Sequence, residues 1–185
     1  AQNAASTSFE KGESLEDLIR MVESYSDIIV MRHAMPGSAD IAANTSKVPF
    51  INAGDGGNEH PTQALIDAYT IYKEKGHLDN LNIVFGYDSL QSRSIHSLAK
   101  LLSQYKHNRF TFTGPKELEP KEELLIELRT AGVECVVSSQ VNLHDGYDVA
   151  YVNRLQEERF ENRVIFEENR RKYRLTKKDV EDSGC

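Results

Sequence analysis

The amino-acid sequence predicts an α/β protein made of two parallel-sheet domains, the first of them incomplete. Three observations carry that reading: six short apolar runs rich in β-formers, amphipathic segments of crossover length between them, and polar residues gathered just after the runs. In chain order the amphipathic segment Glu13 to Tyr25 comes first, followed by strands at 27–31 and 48–53. A helix then follows at Pro61 to Lys75, a strand at 81–86, a helix at Ser94 to Tyr105 and a strand at 109–114. Pro120 to Thr130 is the next helix, and strands at 133–138 and 148–153 complete the pattern. Strand, helix, strand in repetition demands parallel pairing with helices on the faces. The polar, turn-rich segment EKGHLDN, beginning at Glu74, marks the domain boundary, giving domains 1–77 and 78–185. The stretch from Glu167 to the end is charge-rich with few apolar anchors, and reads either as a surface helix or as a frayed tail.

Composition narrows the class. With 185 residues and 39% hydrophobic content the chain can bury a substantial core. A net charge of -7 and a pI near 5.4 argue against a nucleic-acid surface, so an anionic ligand must be met by local arginines. Cys135 and Cys185 form neither a metal spacing nor a disulfide framework, which fits a reducing cytoplasm. No apolar run approaches the roughly 20 residues of a membrane span, and the N-terminus has no signal-peptide pattern, so an intracellular protein without membrane contact is expected.

In open parallel sheets ligands bind beyond the carboxyl ends of the strands. Those ends lead here into Arg32 and His33, into Asp55 and His60, into Asp88 and Arg93, and into Asn153, Arg154 and Gln156. A single arginine in such a place is commonly a surface ion-pair partner. Three at equivalent places suit a small ligand with several anionic groups, because a guanidinium fork matches carboxylate and phosphate.

The segment INAGDGGNEHPTQALIDAYTIYK, Ile51 to Lys73, is the most informative. Pro61 fits the first turn of a helix, which puts His60 at or beside the N-cap. The positive end of the helix dipole disfavours an imidazolium, so His60 is expected to be neutral, either as a plain cap or as an N–H donor to a carbonyl or oxyanion. Gln63 lies within the same first turn and can face the same pocket. Glycine-rich nucleotide loops, a Gly-x-Ser-x-Gly elbow and a His-Glu-x-x-His helix are absent from the sequence, which leaves positioning and charge stabilisation of an anionic carbonyl compound.

NAGDGGNEHPTQALIDAYTI closely resembles the signature of the aspartate carbamoyltransferases, and its Gly-Asp-Gly turn favours the aspartate over the ornithine branch. STSFEKGES (6–14) resembles the family's mobile loop, and VMRH (30–33) its Arg-His motif. DSLQSRSIHSL (88–98) and VNRLQEERF (152–160) resemble the two aspartate-binding segments. The resemblance implies a transcarbamoylase-type, Rossmann-like fold and transfer of the carbamoyl group from carbamoyl phosphate to the α-amino group of L-aspartate in pyrimidine biosynthesis. It implies no metal or organic cofactor. By it, His60 and Arg32 are catalytic and bind carbamoyl phosphate together with Gln63, Ser8 and Lys11; Arg93, Arg154, Gln156 and Lys11 bind aspartate. It further implies a homotrimer with shared active sites, entered by the Ser8 and Lys11 loop, and in some members a separate regulatory chain.

The sequence departs from the pattern at Ala34, where members often have proline, and at Tyr87-Asp88, where Gly-Asp is usual. It also contains neither the family's Ser-Thr-Arg-Thr phosphate segment nor its His-Pro-Leu-Pro loop. The expectation is a chain matching an internal portion of the family sequence, or a shortened relative, poorly active or inactive alone. An ornithine-type acceptor and an incompetent subunit acting in assembly stand as the alternatives.

Overall fold

The computed structural model describes residues 12–140, 146–155, 157, 160 and 162–183. The chain divides into two compact units, Ala1–Gln63 and Ala64–Cys185.

The first unit contains α1 (Leu15–Glu23), β1 (Ile29–His33), α2 (Ser38–Thr45) and β2 (Phe50–Asp55), and α3 (Pro61–Lys75) begins in it. Ser14 caps α1 by accepting the Asp17 N–H at 3.1 Å, a standard use of a hydroxyl at a helix start. β1 and β2 pair in parallel, and the sheet packs one face on the helices: Ile29 is buried with Leu15, Ile19 and Ala42, while Val30 on the opposite face is 62% exposed. Between Met31 and His33 the register shifts, since two steps along β1 match three along β2 from Asn52 to Asp55. This bulge turns the strand ends where the chemistry was expected.

α2 was not foreseen. Its SADIAANT sequence is weakly amphipathic, and it opens on Gly37 in the left-handed region with no side-chain cap, so neither periodicity nor a start signal marks it.

The second unit holds the rest of α3 and a four-stranded, all-parallel sheet in the order β5-β4-β3-β6. Its strands are β3 (Asn82–Gly86), β4 (Arg109–Thr113), β5 (Glu134–Ser138) and β6 (Val149–Val152). The helices are α4 (Arg93–Leu102), α5 (Glu122–Thr130), α6 (Arg163–Lys172) and α7 (Lys177–Ser183), with a 3-10 turn at Lys116–Leu118. Both strand faces are covered, so β3 reads as a near-continuous apolar run from Ile83 to Phe85, while β4 alternates Phe110 and Phe112 with Thr111 and Thr113 although all four are buried. Phe85 anchors the core: its ring meets Phe110 edge-on and stacks on Phe112, each with centroids 5.3 Å apart. Ala64, Ala68 and Ile71 of α3 are buried in this same core.

The order has a consequence for function. β3 is followed by β4 and β5 on one side and by β6 on the other, so the strand order reverses between β3 and β6. In open α/β sheets the crevice beyond the carboxyl ends of two such strands is where ligands bind. All six strands expected from sequence form, and the charge-rich end turns out to contain two helices, of which α6 is anchored by buried Phe166.

Candidate active site

The first polar cluster lies at the carboxyl ends of β1 and β2. Asp55, 1% exposed, is its hub. One carboxylate oxygen accepts from the Gly37 N–H and the Asn58 amide, each at 3.0 Å. The other accepts from the Glu59 N–H at 3.1 Å and the Asn52 amide at 3.3 Å. Burial by itself would raise the carboxyl, but these four donors outweigh it and hold Asp55 below its ordinary value of 3.8. The turn that follows requires glycine. Gly56 has φ +60°, its N–H donates to the His33 carbonyl at 2.7 Å, and a Cβ there would lie 2.5 Å from the Ala34 oxygen.

This turn delivers His60 to the start of α3. The Gln63 N–H points at the imidazole Nδ1 at 3.4 Å, and the Thr62 hydroxyl lies at the same distance. A backbone N–H can only donate, so Nδ1 is the unprotonated nitrogen and the ring proton sits on Nε2. His60 therefore caps the helix and remains an N–H donor at once; the two readings of its sequence position are compatible. Gln63 is half-buried in the same turn, and Arg32 is exposed near the end of β1, inside the irregular stretch of the sheet. His33, next to it, uses its Nδ1 to accept the Met35 N–H at 3.1 Å.

The second cluster lies at the reversal point of the larger sheet. A cleft of about 640 Å³ opens beyond β3 and β6, lined by Tyr87, Asn153 and Arg154 from the strand ends and by Phe166, Arg170 and Tyr173 from α6 and its exit, among others. Arg93 begins α4, whose N-cap Ser92 accepts the Ile95 N–H at 3.3 Å. Asp88 is fully buried and accepts the Gln91 N–H at 2.9 Å, closing the turn between β3 and α4. Burial, followed by the charges of Asp179 and Tyr173, pushes the Tyr87 hydroxyl up to about 12, so it stays protonated on the cleft floor.

Of the residues singled out from sequence, Arg32, His60 and Gln63 lie in the first unit and Arg93 and Arg154 in the second, where Arg154 lines the cleft and Arg93, at the start of α4, is not among its lining residues. Ser8, Lys11 and Gln156 lie outside the described residues. Sequence reasoning missed Arg170, Arg171, Arg174 and Tyr173 on the cleft because α6 looked like a charged surface. The signal was present: Phe166 and Tyr173, two turns apart, are both buried. Among the described residues no three His, Cys, Asp or Glu side chains gather as metal ligands, and no helix is long and apolar enough to cross a membrane.

Comparison with known proteins bears on both clusters. Residues 1–73 match the family model described as aspartate/ornithine carbamoyltransferase, carbamoyl-P binding domain. The chain is 41% identical over 177 residues to the aspartate carbamoyltransferase catalytic subunit of Methanocaldococcus jannaschii, a match covering 95% of this chain and 58% of the relative. It is 46% identical over 169 residues to the chloroplastic aspartate carbamoyltransferase of Arabidopsis thaliana, covering 90% of this chain and 43% of that one. The solved catalytic subunit of the M. jannaschii aspartate transcarbamoylase superimposes with a TM-score of 0.85 at 40% identity, over 97% of this chain and 59% of that one. The Trypanosoma cruzi aspartate transcarbamoylase in complex with N-(phosphonacetyl)-L-aspartic acid gives 0.81 at 32% identity, over 98% and 59%. The chain thus spans a little under three fifths of the archaeal relative's length.

Proposed function

We propose that the chain belongs, over the portion of those relatives that it spans, to the aspartate carbamoyltransferase family, and that it takes part in carbamoyl transfer from carbamoyl phosphate to L-aspartate. The products are N-carbamoyl-L-aspartate and phosphate, a step of pyrimidine biosynthesis. The observation that carries the reading is the Gln63 N–H aimed at His60 Nδ1 at 3.4 Å, an arrangement that leaves Nε2 as the donor.

In this reading the first cluster acts on carbamoyl phosphate. His60 donates to the carbamoyl oxygen, Arg32 adds positive charge as the oxyanion of the tetrahedral intermediate develops, and Gln63 accepts from the carbamoyl NH2. The N-terminus of α3 reinforces both donors. The second cluster receives aspartate, with the forks of Arg93 and Arg154, joined by Gln156, taking its two carboxylates. The amine lone pair forms the C–N bond, the C–O bond to phosphate breaks, and the amine proton leaves with the phosphate. Ser8 and Lys11 complete the site from a neighbouring subunit of a homotrimer, and a regulatory chain can attach to that assembly. The two-domain division at 77/78 belongs to the same proposal and is supported by the family-model match to residues 1–73, whereas packing divides the chain at 63/64, because Ala64, Ala68 and Ile71 of α3 are buried in the second unit's core. So does a cytoplasmic location, supported by the free thiol of Cys135, although one relative is chloroplastic.

The family model spans ornithine enzymes as well, so the test sets the two acceptors against each other. Carbamoyl phosphate is supplied with L-aspartate or with L-ornithine, and ureido product is measured. Binding of N-(phosphonacetyl)-L-aspartate is followed in parallel by calorimetry. Carbamoyl-aspartate formation, or analogue binding lost in His60→Ala, is the expected result. Faster carbamoylation of ornithine overturns the aspartate reading, and neither turnover nor binding overturns the proposal as a whole.

A further inference from the structure

We infer that Asn153 is a positioning residue: its side-chain amide, lodged between Ser92 and Ser94, locks the backbone at Arg93 to the backbone at Arg154 so that the two guanidinium groups act as one dicarboxylate receptor. The inference rests on the aspartate role proposed for those arginines.

Arg93 stands between Ser92 and Ser94 at the start of α4, and Arg154 directly follows Asn153 at the end of β6. Asn153 Nδ2 donates to Ser92 Oγ and lies 3.5 Å from Ser94 Oγ. The Asn153 backbone N–H donates to the Gly86 carbonyl, which extends the β3–β6 ladder one residue past Val152. The residue before Arg154 is therefore held by main chain and side chain together, while both neighbours of Arg93 share its amide.

The serines are fixed in turn. Ser92 Oγ also accepts the Ile95 N–H, and the two serine hydroxyls are 3.1 Å apart. Ser94 hydrogen-bonds the Tyr151 hydroxyl, which donates to Asp67 of α3 at 2.9 Å. The donors form one directional series: Asn153 gives to the serines, Ser92 to Ser94, Ser94 to Tyr151 and Tyr151 to the Asp67 carboxylate. Each hydroxyl gives one proton and accepts the rest, which satisfies every oxygen. An amide supplies two protons at the head of this series; a hydroxyl supplies one and a carboxylate none.

Dicarboxylate binding gains from such a device, because a receptor already held in its bound geometry loses less conformational freedom when the ligand arrives. A merely structural role for Asn153 would change stability and leave ligand affinity of the folded protein alone.

The test uses the whole chain and three variants, Asn153→Ala, Asn153→Ser and Tyr151→Phe, with succinate and L-aspartate as calorimetric probes. Thermal unfolding reports stability, and hydrogen exchange reports backbone order at residues 92–95 and 152–155. Succinate affinity is expected to fall at least tenfold in Asn153→Ala, to recover in part in Asn153→Ser, and to fall severalfold in Tyr151→Phe, with unfolding midpoints of the last two close to the parent. Affinity in Asn153→Ala and Tyr151→Phe within twofold of the parent overturns the inference. If the parent itself binds no dicarboxylate, the aspartate reading fails separately, and exchange decides the positioning claim. Tenfold faster exchange at both segments in Asn153→Ser, with β4 unchanged, upholds it; unchanged exchange there overturns it.

Discussion

The Asp55 carboxylate at the end of β2 accepts the Gly37 N–H at the head of α2 at 3.0 Å, tying the strand that leads to His60 to a helix that has no side-chain cap of its own. Replacing Asp55 with alanine leaves the Gly37 and Glu59 N–H groups and two asparagine amides without this acceptor. A loss of about 2–3 kcal/mol follows from buried donors left unsatisfied beside a vanished charge. Urea unfolding of the parent and Asp55→Ala measures it.

The same carboxylate predicts a pH dependence. Its folded-state pKa lies below 3.8, so the folded protein binds the proton less readily than the unfolded chain. The stability it contributes is complete above that unfolded value and is lost as pH falls through the lower folded one. The difference in unfolding free energy between parent and Asp55→Asn should therefore be constant from pH 7 to about pH 5 and shrink below about pH 4. A difference unchanged down to pH 2 would contradict the assignment.

Gly56→Ala should cost about 2 kcal/mol or more. The new Cβ would meet the Ala34 carbonyl oxygen at 2.5 Å and Pro36 Cδ at 2.8 Å, and φ +60° is itself unfavourable for alanine. Chemical denaturation reads the loss, and a displaced His60 turn should lower affinity for N-(phosphonacetyl)-L-aspartate along with it.

Phe85→Ala removes the ring at the centre of the larger sheet, fully buried between Phe110 and Phe112. The expected loss is about 3–5 kcal/mol, while Phe85→Leu should lose less because more of the volume is kept. Denaturant midpoints of the two variants give the ranking.

Arg154→Ala should weaken L-aspartate binding by about a hundredfold, in line with losing a charge-assisted bidentate contact. The change should fall on the dicarboxylate and spare phosphate. Calorimetry with L-aspartate and with inorganic phosphate separates the two, and equal weakening of both would contradict the assigned role.

Much of this was legible in the sequence because the signals are local. Period and composition mark every strand, and Pro61 fixes the start of α3 through the missing N–H of its ring. The Asn-Ala-Gly-Asp-Gly turn, with His60 and Gln63 beyond it, marks the passage from β2 into α3. α2 stayed hidden because its start is held by Asp55, eighteen residues away from Gly37, and a cap supplied from another strand leaves no mark beside the helix.

What the sequence determined by itself is the α/β class, the strand ends as the seat of polar chemistry, and the identity of the groups placed there. Tertiary structure alone decided how those groups are held. Strand order brings the ends of β3 and β6 together although Gly86 and Val152 are 66 positions apart, and that pairing creates the cleft, the Asn153 clamp and the Tyr151–Asp67 link. It also decided the tautomer of His60, since only the position of the Gln63 N–H shows which ring nitrogen must be bare. The physical reason is the same throughout: residue type sets which bonds a group can make, and the packing of distant segments sets which of them it makes.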